Sequence, residues 1–282
     1  MIILFYLLGI AMLILFPDNT AQTALNALLL WGNSIVPTLF PYMILSRLLC
    51  RRLCMLHLPS AAATAVLGML GGSPSGSALL ASGASSLSKR DFIALCALSG
   101  TISPIFILGT LRTWTQHAAL CSRLLVCHWL SALLCAWIVR RFCHSCKQQT
   151  HTSASEIPTT GNPVSQSIDA ILHVGGYIIL YSVIAGMMGQ LLQPVFPALT
   201  PMLHAFLEVS GGIHAILSNT NRINGMILCA FLGFSGLSII SQNYTMLRHT
   251  GIKMRQLICF GFLRAMLSAL AFLLSSMLFP IN

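Results

Sequence analysis

GGSPSGS at residues 71–77, SGTISP at 99–104, EVSGG at 208–212 and FSGLS at 234–238 interrupt sequence that is otherwise apolar. The starts of the first two lie 28 positions apart and those of the second two 26. Each pair is followed by a Trp- or Leu-rich run, 118–139 and 256–279, that closes its half of the chain. Gly, Ser and Pro unwind helices and leave backbone N–H and C=O groups unpaired. Hydrocarbon offers no partner for such groups, so broken helices at membrane depth persist only where protein or a water-filled cavity covers them. A matching pair in each half is the pattern expected around the midplane site of a transporter built from two repeats.

Composition narrows the class further. Hydrophobic residues make up 56% of the 282 positions, charged residues 7%, and the mean hydropathy is +0.84. A soluble domain carries about 25% charged residues, so a soluble protein is excluded. The acidic residues are Asp18, Asp91, Glu156, Asp169 and Glu208, too dispersed for the clustered carboxylates of a two-metal enzyme or a glycosidase. The formal charge of +10 is that of cytoplasmic loops rather than of a nucleic-acid surface. No nucleophile elbow, Walker loop, dinucleotide fingerprint or zinc-hydrolase motif occurs, and GGSPSGS lacks the Lys and preceding strand of a phosphate loop. The chain is therefore not expected to be an enzyme. Any transport would run on an ion gradient or downhill.

The apolar segments are 1–16, 20–49, 58–87, 92–111, 118–139, 164–192, 202–217, 223–247 and 256–279, against the roughly 20 residues that a spanning helix needs. The first, MIILFYLLGIAMLILF, has no basic leader and no small-residue cleavage site, and Pro17-Asp18 closes it. It reads as a retained membrane helix rather than a signal peptide. Segments 20–49 (broken at VPTLFP, 36–41), 58–87 and 202–217 read as helical hairpins. Segments 92–111 and 223–247 read as spanning helices unwound in the middle. With the N-terminus outside, Arg47, Arg51, Arg52, Lys89, Arg90, Arg140, Arg141, Lys147, Arg248, Lys253 and Arg255 fall inside, eleven of fifteen basic residues, as the positive-inside rule requires. Arg112 and Arg222 fall outside, and Arg123 and Arg264 within helices. The same layout inverts one half relative to the other. The fold class is thus an all-α polytopic membrane protein of two inverted structural repeats, with re-entrant hairpins and broken transmembrane helices. The first repeat covers 1–142 with an extra hairpin at 20–49, a polar cytoplasmic linker covers 143–163, and the second repeat covers 164–282.

Several motifs resemble a known family. WGNSIVPTLFPYMILSRLL (31–49) is similar to the W-N-x-x-x-P-x-L-x-P-F-x-I-L-S-x-L-L segment of YlbJ-type sporulation integral membrane proteins. GGSPSGSALL stands where that family has G-[FY]-P-x-G-A-K, SGTISPIFILGTL where it has N-x-S-P-x-F-I-x-G, FLEVSGGIHAI where it has L-E-x-[ST]-x-G-I, and LGFSGLSIISQ (232–242) where it has G-F-G-G-L-S-x-x-x-Q. Order and spacing hold from position 31 to the C-terminus. The chain departs at Ser77, where the motif has Lys, at the absent Asn before the Ser-Pro pair, and at Gly211, where the motif is polar. The resemblance implies a nucleoside-recognition or Gate-type membrane domain, as in ferrous-iron transporter B and concentrative nucleoside transporters. It implies a bacterial inner-membrane location and, in spore formers, a role in sporulation.

The candidate substrate-binding residues lie at the four interruptions: Ser73, Ser75, Gly76, Ser99, Thr101, Ser103, Glu208, Ser210, Ser235, Ser238 and Gln242. Hydroxyls and unwound backbone suit an uncharged or zwitterionic solute; the same small residues also permit close helix packing. Glu208 is the sharpest of them. A carboxylate in a membrane segment costs roughly 2.5 to 3.5 kcal/mol on insertion scales and marks a functional position. It could bind a cation, take a proton or accept a substrate hydroxyl; alternatively it caps the Ser210–Gly212 turn or pairs with Arg264 or Arg123. Cys143 and Cys146, with His151 nearby, have one metal-like pair but no second pair. Most of the other cysteines sit in apolar runs, where packing is the default. No cofactor or metal is expected. The expected partners are the lipid bilayer and a small polar solute or ion, with no nucleic acid, and a homo-oligomer left open. The alternative to transport is a non-enzymatic scaffold for spore-envelope assembly.

Overall fold

A computed structural model describes residues 10–11, 13–55, 60–84, 87–142, 162–219 and 224–279. Most of the first helix of the sequence reading, the cysteine pair at 143 and 146, His151 and nearly all of the 143–163 linker lie outside the described residues. Among the described residues every regular element is helical. Among the described residues five helices are long and apolar enough to cross a membrane: Pro17–Leu49, Ala118–Phe142, Pro163–Leu192, Gly225–Thr250 and Met254–Leu278. Their outer faces carry large apolar side chains, with Met266 72%, Leu45 65% and Trp137 62% exposed. Such faces suit lipid and not water.

The elements are α1 (Pro17–Leu30), α2 (Val36–Met55), α3 (Ser60–Gly71), α4 (Ser75–Ser82), α5 (Lys89–Ser99), α6 (Arg112–Thr115), α7 (Ala118–Phe142), α8 (Pro163–Leu192), α9 (Leu199–Leu207), α10 (Val209–Asn219), α11 (Gly225–Phe234), α12 (Gly236–Leu247) and α13 (Met254–Leu278). Their starts follow from local chemistry. Ser88 accepts from Asp91 N–H at the head of α5, Asn162 from Val164 N–H at the head of α8, and Asn224 from Ile227 N–H at the head of α11. Each satisfies one of the N–H groups that a helix end leaves orphaned.

One expectation is corrected. Residues 20–49 form no hairpin: the chain stays helical from α1 to α2 through a π-turn at Trp31–Ile35, where Val36 N–H donates to Trp31 O. Pro37 and Pro41 lack the N–H that would continue an α ladder. The helix nonetheless continues through the wider turn, and the Thr38 hydroxyl donates to Ser34 O at 3.0 Å. This long helix packs on α8. Trp31 lies over Gly175, where a Cβ would fall 2.7 Å from the indole ring, and its Nε1–H donates to Ile171 O at 3.2 Å.

The helices also break at the other four interruptions. At residues 72–74 and at Glu208 the chain folds back on itself. A Cβ on Gly76 would lie 2.9 Å from Gly68 Cα, and one on Gly212 would lie 2.0 Å from Ala205 N. These contacts press α4 on α3 and α10 on α9. α5 is interrupted at residues 100–103 before helix resumes into the π-turn Phe106–Leu111. α11 ends at Ser235 and Gly236, whose φ of +72° and +76° are left-handed. α12 restarts from there. Lipid is as apolar as leucine, so close backbone contact and polar pairing hold such helices together rather than the hydrophobic effect. Gly233 on α11 touches α13 in the same way, a Cβ there meeting Ser268 Oγ at 2.6 Å.

Several basic residues gather at one end of the bundle. Arg140 at the end of α7 pairs with Asp91 at the start of α5 at 2.9 Å, and Arg47 donates to Gln166 near the start of α8. Leu87, Phe92, Leu247, Ile252 and Leu257 form one cluster with Val139 and Met254 packed on it, so Lys89, Arg90, Arg140, Arg248 and Lys253 share that end. At the other end Arg123 donates to Phe279 O, and Trp114 meets His214 of α10 edge-to-face at 5.0 Å.

Candidate functional site

The four interruptions meet. Ser73 N–H donates to Thr101 O at 2.8 Å, joining the first break to the second. Ser235 Oγ donates to Gly100 O at 2.9 Å, joining the second to the fourth. Gly236 comes so close to the third that a Cβ on it would lie 3.1 Å from Val209 N. Gly72, at φ +63°, approaches Ser103 so closely that any Cβ would fall 2.4 Å from Ser103 N. Glycine is required there on both counts, since other residues adopt that backbone only with strain.

Glu208 is the residue between α9 and α10 and is 2% exposed. Its Oε1 accepts from Ser210 N–H at 3.0 Å and its Oε2 from Gly211 N–H at 2.6 Å. The carboxylate thus caps α10, where the positive end of the helix dipole favours it. It pairs with neither arginine that the sequence offered. Arg123 turns to Phe279 O. Arg264, also 2% exposed, donates from Nη1 to Ala97 O at 2.6 Å and from Nε to Gly233 O at 3.1 Å. Those carbonyls belong to the last turns of α5 and α11, so one guanidinium caps the two helices that stop at the second and fourth breaks. Its charge suits the negative ends of both dipoles.

A chamber of about 60 Å³ opens between the breaks. Its polar wall is Thr38, Ser73, Ser103, Glu208, Ser210 and Gln242, and its apolar wall includes Ile35, Ile102, Phe106, Val174, Ile178 and Ile239. Five of the eleven sequence candidates therefore line it: Ser73, Ser103, Glu208, Ser210 and Gln242. The other six do not. Gly76 packs on Gly68. Ser99 donates to Cys96 O and accepts from Ser77. Ser235 donates to Gly100 O, and Ser238 accepts from Gln242 Nε2 at 3.3 Å. Ser75 and Thr101 are buried, with no hydrogen-bond partner for their hydroxyls.

Three side chains that the sequence reading passed over hold this region. Asn243 Oδ1 accepts from Ser73 Oγ at 2.5 Å and from Ser77 Oγ at 2.8 Å, tying α12 to the first hairpin. The signal was present as a polar residue beside Gln242 in an apolar run, the kind that serves as interhelical glue. His128, fully buried on α7, accepts at Nε2 from Ile102 N–H at 3.1 Å and so fixes the unwound second break. Thr38 comes from the long first helix. On the far side of α12, Tyr181 pairs with Ser241 and Tyr177 with Thr245, each at 2.6 Å, joining it to α8. Replacing Asn243 with Leu leaves the Ser73 hydroxyl without its acceptor and Ser77 with Ser99 alone, at about 1–3 kcal/mol for an unmet group. The expected outcome is a clear fall in thermal stability in detergent; a Tm equal to wild type would mean that this link between the halves is dispensable.

Among the described residues no group of three or more His, Cys, Asp or Glu could hold a metal ion. Six cysteines are free thiols. Cys96, Cys121, Cys127, Cys135 and Cys229 are buried among packed helices, whereas Cys259 is exposed on α13.

Comparison with known proteins agrees with the motif resemblance. The chain is 24% identical over 310 aligned positions to the sporulation integral membrane protein YlbJ of Bacillus subtilis (strain 168), covering 89% of this chain and 76% of that protein. No family model matches the chain, and no solved structure does. The alignment and the five long apolar helices together make this a YlbJ-like, multi-pass integral membrane protein.

Proposed function

We propose that this YlbJ-like membrane protein is a secondary transporter or channel for a small polar solute. In this reading the two halves are inverted repeats of Gate type, the α3–α4 and α9–α10 hairpins re-enter the membrane from opposite sides, and the basic end faces the cytoplasm. The observation that carries it is the convergence of the first three interruptions, and of Ile239 and Gln242 on α12 just beyond the fourth, on one part-polar chamber that contains the buried Glu208. A scaffold has no need of such a chamber, whereas a solute path requires one where unwound helices line it. The relative's name connects the activity to sporulation, in a bacterial cell membrane. The chain acts without a cofactor and is not an enzyme.

The test is the thermal-shift response of the detergent-purified full chain to nucleosides, amino acids, short carboxylates and mono- and divalent cations. A ligand at about 100 times its Kd adds roughly 2.7 kcal/mol to the native state. A stabilising solute whose effect is lost in Glu208→Gln supports transport. No response across the panel, with a stoichiometric protein partner recovered on purification from the native membrane, would replace this reading with the scaffold for spore-envelope assembly.

A further inference from the structure

We propose that Cys127 and Cys229 are a redox-active dithiol that closes into a disulfide between the two halves of the chain, with hydrogen peroxide as oxidant. The chamber lining includes neither cysteine, and the inference does not rest on the transport reading.

The two residues lie about a hundred positions apart in the sequence, and helix packing brings them side by side. Cys127 is on α7 of the first half and Cys229 on α11 of the second. Both helices pack on α13 and meet it at one residue: Ser131 Oγ pairs with Ser268 Oγ at 2.5 Å, and a Cβ on Gly233 would lie 2.6 Å from the same Oγ. Both also run antiparallel to α13, because Cys127 meets Ser275 there and Gly225 meets Phe272. One turn back from Ser131 is Cys127, and one turn back from Gly233 is Cys229. They share one buried cluster, at 3% and 0% exposure, and Cys229 Sγ–H donates to Cys127 Sγ. The other buried thiols turn elsewhere. Cys121 Sγ meets Thr115 Oγ1 at 3.3 Å, and Cys135 Sγ donates to Phe260 O at 3.9 Å.

Cys127 is the sulfur placed to attack. A thiolate is the attacking species in such chemistry. Around Cys127 stand the Cys229 donor, the Ser275 hydroxyl at 3.6 Å and, one turn earlier on the same face of α7, Arg123. Burial selects the oxidant, since bulky disulfides do not reach these sulfurs, whereas hydrogen peroxide is small and uncharged. Cys127 sulfur attacks one peroxide oxygen and the O–O bond breaks. The departing hydroxide takes the Cys127 proton and leaves as water. Cys229 sulfur then attacks the Cys127 sulfenic acid, the S–O bond breaks, and that oxygen leaves as a second water with the Cys229 proton. Two electrons pass from the thiols to the peroxide. The new bond ties α7, whose His128 holds the second break through Ile102 N–H, to α11, which ends at the fourth.

The experiment treats the reduced full chain in detergent, freed of reductant under nitrogen, with hydrogen peroxide. The chain is then denatured and its free thiols are blocked with one maleimide. The remaining cysteines are reduced, labelled with a second maleimide and located by peptide mass spectrometry. Cys127 and Cys229 are expected to take the second label together, and an unreduced sample to contain their linked peptides. Cys96 and Cys121 should keep the first label, while exposed Cys259 reports that the oxidant is active. The oxidised chain should melt at a higher temperature, because a link closing so long a loop constrains the unfolded chain. Cys229→Ala should abolish both the link and the rise in Tm; if it does not fold, Cys127→Ala makes the same comparison. Folded wild type in which Cys259 is oxidised while Cys127 and Cys229 stay reduced overturns the proposal. So does either residue linked mainly to another cysteine, or a linked chain that melts below the reduced one, since such a bond would distort the native contact rather than join it.

Discussion

Replacing Gly212 with alanine is expected to leave the chain unable to form its second hairpin. The added Cβ would fall 2.0 Å from Ala205 N and 2.1 Å from Ala205 Cα. Both partners are backbone atoms of a helix, so no side chain can turn aside. Ordinary overpacking costs about 1–3 kcal/mol because side chains and backbone shift a little; here α10 must move off α9, and the cost is at least at the top of that range. Because Glu208 caps α10 from the same turn, opening the hairpin also withdraws the carboxylate from the chamber. The expected result is aggregation or a broad, early elution in detergent gel filtration. Gly211→Ala is the matched control. Its Cβ would meet only the tip of the Glu208 side chain, at 3.1 Å, so it should fold and change ligand response instead. A Gly212→Ala protein that elutes and melts as wild type would refute the close α9–α10 contact.

Arg264→Ala is expected to produce the next largest loss. The guanidinium is buried and divides its donors between Ala97 O of the first half and Gly233 O of the second. Its removal leaves two helix-terminal carbonyls unpaired, at about 1–3 kcal/mol each, and a cavity where a long side chain stood. Gly100 packs directly against the guanidinium, so the second break would sag into the space. A loss of about 4 kcal/mol corresponds to a fall in Tm of the order of 10 °C for a chain of this size. Arg264→Lys should recover only part of it, because an ammonium cannot reproduce the planar fork that spans two acceptors. Thermal melts of both variants check this. A change within the error of wild type for Arg264→Ala would mean that the carbonyls find other partners.

The four interruptions were legible in the sequence because Gly, Ser and Pro break helices wherever they occur in an apolar run, and the structure places breaks at all four. Glu208 was legible for a different reason: a lone carboxylate in such a run has a cost that only a special environment offsets. The VPTLFP stretch misled because proline signals a break only when the freed carbonyls have no other partner. Here the chain widens into a π-turn at Trp31–Ile35 and residues 17–55 stay one helix. Side-chain direction at the breaks was beyond the sequence. Ser235 sits at φ +72° and turns to Gly100 O rather than into the chamber, and Ser99 points back along its own helix to Cys96 O. Asn243 was passed over and Arg264 was offered to Glu208 because their partners, the Ser73 and Ser77 hydroxyls and the Ala97 and Gly233 carbonyls, lie far away in the sequence and mostly in the other half. Such pairs appear only once the halves are docked.

The most direct test of the central claim is solute and ion flux across proteoliposomes that contain purified protein, wild type against Glu208→Gln. Both should show the same cooperative melt, and the panel should include the solutes that stabilise wild type. Saturable flux through wild type and none through the folded Glu208→Gln protein is the predicted result. Equal flux through the two would contradict the assignment of the Glu208 chamber as the path.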